Sequence, residues 1–369
     1  MSLDDRQTVL TAVLRRVPGA WHQPAARDVA ALVRAAERHG VRPLLAARAT
    51  DDPDVPPALR AALTDGAPAR VAADLADEAA LGAAIAGLAG SGIDALLFKG
   101  SELAFTHYER SDLRPRLDAD VLVRPADVEH AHQVLVDLGY IPDIQAGTEG
   151  VLHQRPYSRL TMGGQPVVID LHWRLVNPAV FEHLGEFGEL HAASIAVPLL
   201  GPHARGLGPL HAMLVACVHR VAHHFDDDRL IWLYDLHLLA GSFDEDLWRR
   251  FAIEAEARGV SAVCRASLTR AVTAFGTAVP DTVLSAPGRR EVTARYLQTR
   301  RPHAQVVFDD LRALPTWRAR WRTMRAHVLP PAAYMREVYA PESGKPLPWL
   351  YALRAVRGAR KWFGGSSRT

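Results

Sequence analysis

Apolar positions fall three and four residues apart through the first ninety residues, as at Leu10, Val13 and Leu14 and again at Leu32 and Val33. That spacing marks one face of a 3.6-residue period and predicts helices near 5–16, 27–49, 56–64 and 68–90. The stretch from Asp51 to Pro57, with three prolines and three aspartates, reads as a loop, because proline blocks helix continuation. Gly90-Ser91-Gly92 closes the last of these helices, and the pattern then shifts to short β runs. Strands are expected at Ala95–Phe98, Ala119–Val123, Arg155–Met162 and Val167–His172, with helices at Glu102–Tyr108 and Ala126–Leu138. Gly163-Gly164-Gln165 is a hairpin signal between the last two strands, since glycine supplies the positive φ such turns need. Helical spacing returns at 208–225, 228–240, 244–258, 261–276, 304–313 and 315–327. One more helix is expected at Pro346–Phe363, ahead of a GGSSRT end expected to be disordered. The predicted class is α+β, a small mixed sheet flanked by helical regions, with divisions at 1–91, 92–202, 203–363 and 364–369.

Composition narrows the class of protein more than its function. About half of the 369 residues are apolar and the net charge is +2, too balanced to announce a nucleic-acid partner. Cys217 and Cys264 are the only cysteines, so neither a disulfide framework nor a cysteine-based zinc site is suggested. The first residues lack a basic segment followed by an apolar core, and no apolar run approaches the roughly 18 to 20 residues that span a bilayer. A cytoplasmic protein without a transmembrane segment is the expectation.

The candidate chemistry lies between Leu96 and Val123. Asp118 and Asp120 are two apart on a predicted strand, so they project to one face, roughly 7 Å apart. Two carboxylates so placed suit a hard divalent cation, which takes oxygen ligands and substrate phosphates. Asp170 sits in the middle of the otherwise apolar strand Val167–His172, where an acid is costly unless it is paired or binds a cation. Should that strand lie beside the first, three carboxylates converge in the manner of a two-metal phosphoryl-transfer site. The turn Lys99-Gly100-Ser101 adds a flexible glycine, a good N-cap residue and a cation for phosphate. Arg110, Arg114 and Arg116, in the loop before the aspartates, could hold a triphosphate, or simply be solvated.

These residues resemble a known family. Lys99-Gly100-Ser101, a helix ending in Tyr108, Arg114 four residues before Asp118-Ala119-Asp120-Val-Leu-Val, Gly139-Tyr140 and Ile169-Asp170-Leu171-His172-Trp173 are similar to the uncharacterised nucleotidyltransferase family of the DNA polymerase β-like superfamily. The likeness extends through His219-x-x-x-His223 and Trp232-Leu-Tyr-Asp235-Leu, and covers roughly 75–340. It implies a nucleotidyltransferase core at 92–202, with Asp118, Asp120 and Asp170 as catalytic metal ligands. It further implies that Gly100 and Ser101 form a phosphate-binding turn and that Lys99 and Arg114 are its basic companions. The implied cofactor is Mg²⁺ or Mn²⁺, and the implied reaction moves an NMP, with AMP from ATP the expected case, to an unidentified acceptor with release of pyrophosphate. That acceptor is a small molecule, a peptide or protein, or RNA. The alternatives are a nucleotide-sensing protein without turnover on the same fold, or a toxin-like enzyme that modifies RNA or protein. The spacing from Gly100-Ser101 to Asp118 is longer than in minimal members, so Glu109–Leu117 reads as an insertion.

The helical half is expected to furnish the acceptor pocket through His219, His223 and Asp235, together with His172 of the strand. His219 and His223, one turn apart, lack the third ligand and the glutamate of a zinc motif. The tail from Trp349 to Phe363 mixes aromatic and basic residues; the expectation is that it packs its apolar stripe on the body and leaves its arginines solvated, the alternative being a membrane surface or a partner helix.

Overall fold

The computed structural model describes residues 4–143, 153–161, 163–222, 229–285, 291–298, 303–314, 316–330, 332, 335–336 and 346–363. His223, Met162 and the GGSSRT end lie outside the described residues. The N-terminal helices are α1 (Asp5–Leu14), α2 (Val29–Arg38), α3 (Arg42–Asp51), α4 (Pro57–Thr64) and α5 (Ala67–Gly90). A single helix over 27–49 is not what forms. Gly40 takes a left-handed φ of 70°, which ends α2, and Pro43 sits in the first turn of α3, where its missing N–H breaks no helical bond. The break is used for docking: the His39 carbonyl accepts from the Ile231 N–H at 3.1 Å, and the Arg38 carbonyl accepts from Arg229 Nε at 3.0 Å.

The core runs β1 (Ala95–Leu97), α6 (Gly100–Thr106), β2 (Ala119–Val123), α7 (Val128–Asp137), β3 (Ile141–Pro142), β4 (Gln154–Leu160), β5 (Pro166–His172), α8 (Phe187–Ala192), β6 (Ile195–Ala196) and β7 (Arg205–Gly206). Among the described residues the strands form one seven-stranded sheet in the order β3-β4-β5-β2-β1-β7-β6. It is mixed: β1 runs antiparallel to β2, β2 parallel to β5, and β4 antiparallel to β5 across the glycine hairpin. The two-residue strands β3, β6 and β7 escape sequence reading because alternation needs more residues to show. The helical half follows as α9 (Pro209–Ala222), α10 (Leu230–Ala240), α11 (Glu245–Ala257), α12 (Ser261–Phe275), α13 (Asp281–Leu284), α14 (His303–Ala313), α15 (Trp317–Val328) and α16 (Leu347–Phe363). The fold is thus α+β, a mixed sheet flanked by helices. Among the described residues no helix is long and apolar enough to cross a membrane.

Alternation along the central strands assigns each sheet face a different cover. Leu97, Val121, Val123, Ile169 and Leu171 pack against Leu81, Ile85 and Leu88 of α5 and Leu135 of α7. Leu96, Phe98 and Leu122 turn the other way, into an apolar cluster that includes residues of α1–α4 and α9–α12. The sheet therefore meets its helical cover through valine, isoleucine and leucine on one face, and on the other through a mixture of leucine, phenylalanine and the acidic residues.

Candidate active site

The register between β2 and β5 sets Asp120 directly opposite Asp170 and Leu122 opposite His172. Parallel neighbours with a period of two thus place Asp120, Asp170 and His172 on the face turned toward the helical bundle, and Asp118, in the bend just before β2, lines the same cavity. Asp120 and Asp170 are buried, whereas Asp118 opens to the cavity.

Asp120 is neutralised from two sides. Lys99 Nζ lies 2.6 Å from its Oδ1, and His172 Nε2 lies 3.0 Å from the same oxygen and 3.2 Å from Asp170 Oδ2. The imidazole stands within ion-pair distance of both carboxylates without aligned hydrogen-bond geometry to either. Burial opposes ionisation of Asp120, but the Lys99 ammonium and then His172 outweigh it, so the carboxyl is held well below the usual carboxylate range. For His172, burial and Lys99 both favour the neutral ring, yet the two carboxylates prevail and raise it above its ordinary value. Asp118 is exposed to the cavity, but the cavity walls shield it from bulk water. That desolvation, reinforced by repulsion from Asp120 against the pull of Lys99, pushes it up to about 6.

Asp170 is fixed by Gln154 of β4, whose Nε2 donates to Oδ2 at 2.5 Å. Gln154 in turn accepts from Asn177 Nδ2 at 2.9 Å. Asp170 Oδ1 is buried with no hydrogen-bond partner among the described residues. One ligand atom each from Asp120, Asp170 and His172 lie within 4.8 Å of one another. An unsatisfied buried carboxylate oxygen beside a second carboxylate, with Asp118 at the rim, fits a hard divalent cation. The nitrogen of His172 completes that buried group; Asp118 does not belong to it.

The turn ahead of α6 differs from its sequence reading. Lys99 is the N-cap residue, with φ 56° and ψ −139°, a left-handed conformation rare for a side-chain-bearing residue. Ser101 lies inside the helix, and its Oγ accepts from the Asp120 N–H at 2.8 Å, within reach of the Asp118 carbonyl at 3.4 Å. It ties the turn to the aspartate strand and does not cap the helix. Gly100 has little room above it: a Cβ there would lie 3.0 Å from the Arg114 guanidinium, which would have to shift.

Arg114 is buried and bidentate to Asp235 of α10, at 2.8 Å from Nε and 2.7 Å from Nη2. Tyr108 Oη donates to the same carboxylate at 2.7 Å. Burial would favour a neutral guanidinium, but Asp235 outweighs it and raises Arg114 above its ordinary value. Asp235 is therefore bound to Arg114 and Tyr108. The remaining arginines of the loop are also engaged, Arg110 with Asp112 and Arg116 with Asp74 of α5. Ser111 joins Asp74 as well, at 2.6 Å, so the segment Glu109–Leu117 is stitched to α5.

A cavity of about 600 Å³ opens over these groups. Its wall includes Lys99, Gly100, Ser101, Arg114, Asp118, Asp120, Asp170, His219 and Asp235, so most of the sequence-predicted residues share one space. His172 does not reach that wall; it lies beneath the carboxylates. The wall also takes in residues that sequence reading did not assign to the site: Arg42 and Arg70 from the N-terminal helices, Gln154 from β4, Arg229, and Trp232, which the sequence offered only as part of the family likeness. Trp232 meets His219 edge to face, with ring centroids 6.1 Å apart.

No curated protein matches this chain. Residues 25–276 match the uncharacterised nucleotidyltransferase family, a span that starts earlier and ends earlier than the 75–340 suggested by motifs. It takes in α2–α4, which bring Arg42 to the cavity, and ends with α12. The match covers well over half of the sequence and includes both aspartate strands, the lysine-glycine-serine turn and α10, and on this ground the chain belongs to the uncharacterised nucleotidyltransferase family.

Proposed function

We propose that the cavity binds a nucleoside triphosphate, with ATP the expected case, and transfers its nucleoside monophosphate to an acceptor, releasing pyrophosphate. The observation that carries this reading is the pairing of Asp120 with Asp170 across adjacent parallel strands, with Asp118 at the cavity rim above them. Asp118, Asp120 and Asp170 would hold Mg²⁺ or Mn²⁺. When bound, such an ion offsets triphosphate charge and makes an acceptor hydroxyl more acidic.

The chain's own residues then do the positioning. Lys99, whose Nζ now lies on Asp120, is the cation that exchanges a carboxylate for triphosphate oxygens. Ser101 keeps the turn at a fixed height relative to β2, and Gln154 keeps Asp170 pointed at the reacting centre. The acceptor oxygen forms its bond to the α-phosphorus as the bond to pyrophosphate breaks. In-line geometry of this kind converts binding into rate. His219, Arg229 and Trp232 line the cavity from the helical half, and are assigned to the acceptor side.

A second reading, a nucleotide sensor without turnover, draws on one observation: Lys99 and His172 already balance Asp120. Calorimetry with ATP and Mg²⁺, run beside a pyrophosphate-release assay, separates the two. Release in a screen of small molecules, RNA and proteins, with a loss on the order of 10³-fold in Asp118→Asn or Asp120→Asn, is the expected result, since each change removes a direct partner of the reacting charge. Binding without release, or turnover that survives both substitutions, would overturn it.

A further inference from the structure

Helix α15 is amphipathic the wrong way round. At 3.6 residues per turn, Trp317, Trp321, Met324 and Val328 fall within an arc of about 60°. All four face solvent, with relative exposures of 72 %, 61 %, 41 % and 55 %. The opposite side carries Ala319, Thr323 and Ala326, which are half-buried. The apolar stripe that normally seats a helix on its core is here turned away from it. Leu329, also exposed, follows at the C-cap.

Charge follows the same outline. The helix contains Arg318, Arg320, Arg322 and Arg325 and no carboxylate. Arg320 is turned back to α14, donating to the Leu314 carbonyl at 2.9 Å. Arg325, Arg318 and Arg322 border the stripe along one side, and the Arg318 guanidinium lies 5.8 Å from the centre of the Trp317 ring.

We propose that this outer face of α15 docks on an anionic lipid bilayer, lying in the headgroup plane and not crossing it. Tryptophans with apolar bodies and polar N–H edges settle at that boundary, and arginines beside them meet lipid phosphates while their stems stay on the apolar side. Three arginines with no neighbouring acid on the helix supply the charge complementarity. A single-stranded nucleic acid suits the stripe less well, because Met324, Val328 and Leu329 offer no ring on which a base can stack. A second copy suits it less well too, since a two-fold contact would bring like arginine borders together with no carboxylate on the helix to receive them. The surface lies beyond residue 276, outside the stretch that matches the family, and is independent of the nucleotide reading.

Flotation of the full chain with vesicles tests this. The chain should float with vesicles of phosphatidylglycerol and phosphatidylcholine, and on the order of tenfold less with phosphatidylcholine alone. Trp317→Glu combined with Trp321→Glu should lower flotation on the mixed vesicles by tenfold or more on the same scale. The triple change Arg318→Gln, Arg322→Gln and Arg325→Gln leaves the apolar stripe in place; it should abolish the preference for anionic vesicles and provides the reading if the glutamate variant folds poorly. The proposal is overturned by equal flotation on both vesicle types, or by flotation that persists in both variants. It is equally overturned if the full chain fails to float and instead binds single-stranded RNA, or forms a dimer by light scattering that the tryptophan changes dissolve.

Discussion

The two faces of one sheet are built from alternate residues of the same strands, and they do opposite things. Toward α5 and α7, Val121, Val123, Ile169 and Leu171 are buried among aliphatic neighbours, so that face is a source of stability. Toward the helical bundle, one residue out of step, stand Asp120, Asp170 and His172, with Asp118 in the bend just before β2. Burying these groups is unfavourable unless each is paired, and the pairing is incomplete at Asp170 Oδ1. One face spends its positions on packing and the other on charge held ready for a ligand. The apolar face keeps the strands in a register that the charged face could not secure alone.

Three substitutions would break or sharpen that contrast. The largest effect on stability is expected at the point where the charged face is tied to the bundle. Asp235→Ala leaves Arg114 buried without its counter-charge, and should cost about 3–5 kcal/mol in urea denaturation, together with nucleotide affinity. A change below about 1 kcal/mol would mean that the pair is not a tie at all. Leu171→Ala, on the packing face, should cost about 2–5 kcal/mol in the same measurement. Turnover per folded molecule should hold steady, because the change does not reach the cavity; a parallel loss of turnover would show that the two faces are not separable.

The smallest effect is one of pH. Glu102 is fully buried behind the turn, and neither of its oxygens makes a well-formed hydrogen bond. Burial pushes its carboxyl well above the usual range, and the Leu207 N–H, which pulls the other way, does not offset this. The folded chain therefore holds a proton that the unfolded chain releases. The associated stability is complete below the unfolded carboxylate pKa of about 4.3 and is lost as pH rises toward the higher folded value. Glu102→Gln cannot titrate, so its denaturation midpoint should gain on the parent between pH 5 and pH 8. A constant difference across that range would contradict the assignment.

How much of this was legible beforehand depends on distance along the chain. The aspartate pair and the lone acid of β5 stand out because period-two alternation makes a charge on a buried strand conspicuous within a few residues. The longer helices were readable from their local 3.6-residue spacing; the short α8 and α13 were not expected, and the split at Gly40 was missed because a permissible mid-helix glycine becomes a terminus once α10 docks against it. The cavity wall was only partly readable. Arg42, Arg70, Gln154 and Arg229 sit on elements that meet in space alone, and nothing near them in sequence distinguishes them from surface residues. The function of Ser101 was hidden likewise, since a serine at a helix start looks like a cap until the strand it bonds is placed beside it.

The bond between Arg114 and Asp235 joins residues 121 positions apart, and Tyr108 reaches the same carboxylate across 127. Its consequence is temporal. Domains form from the N-terminus as the chain is made, and contacts of long sequence separation come late. Both aspartate strands are synthesised before α10, yet Arg114, seated over Gly100, has no counter-charge until residue 235 arrives. The wall of the cavity therefore closes only after the sheet has been made, so a nascent or truncated chain carries the acidic residues without a finished site.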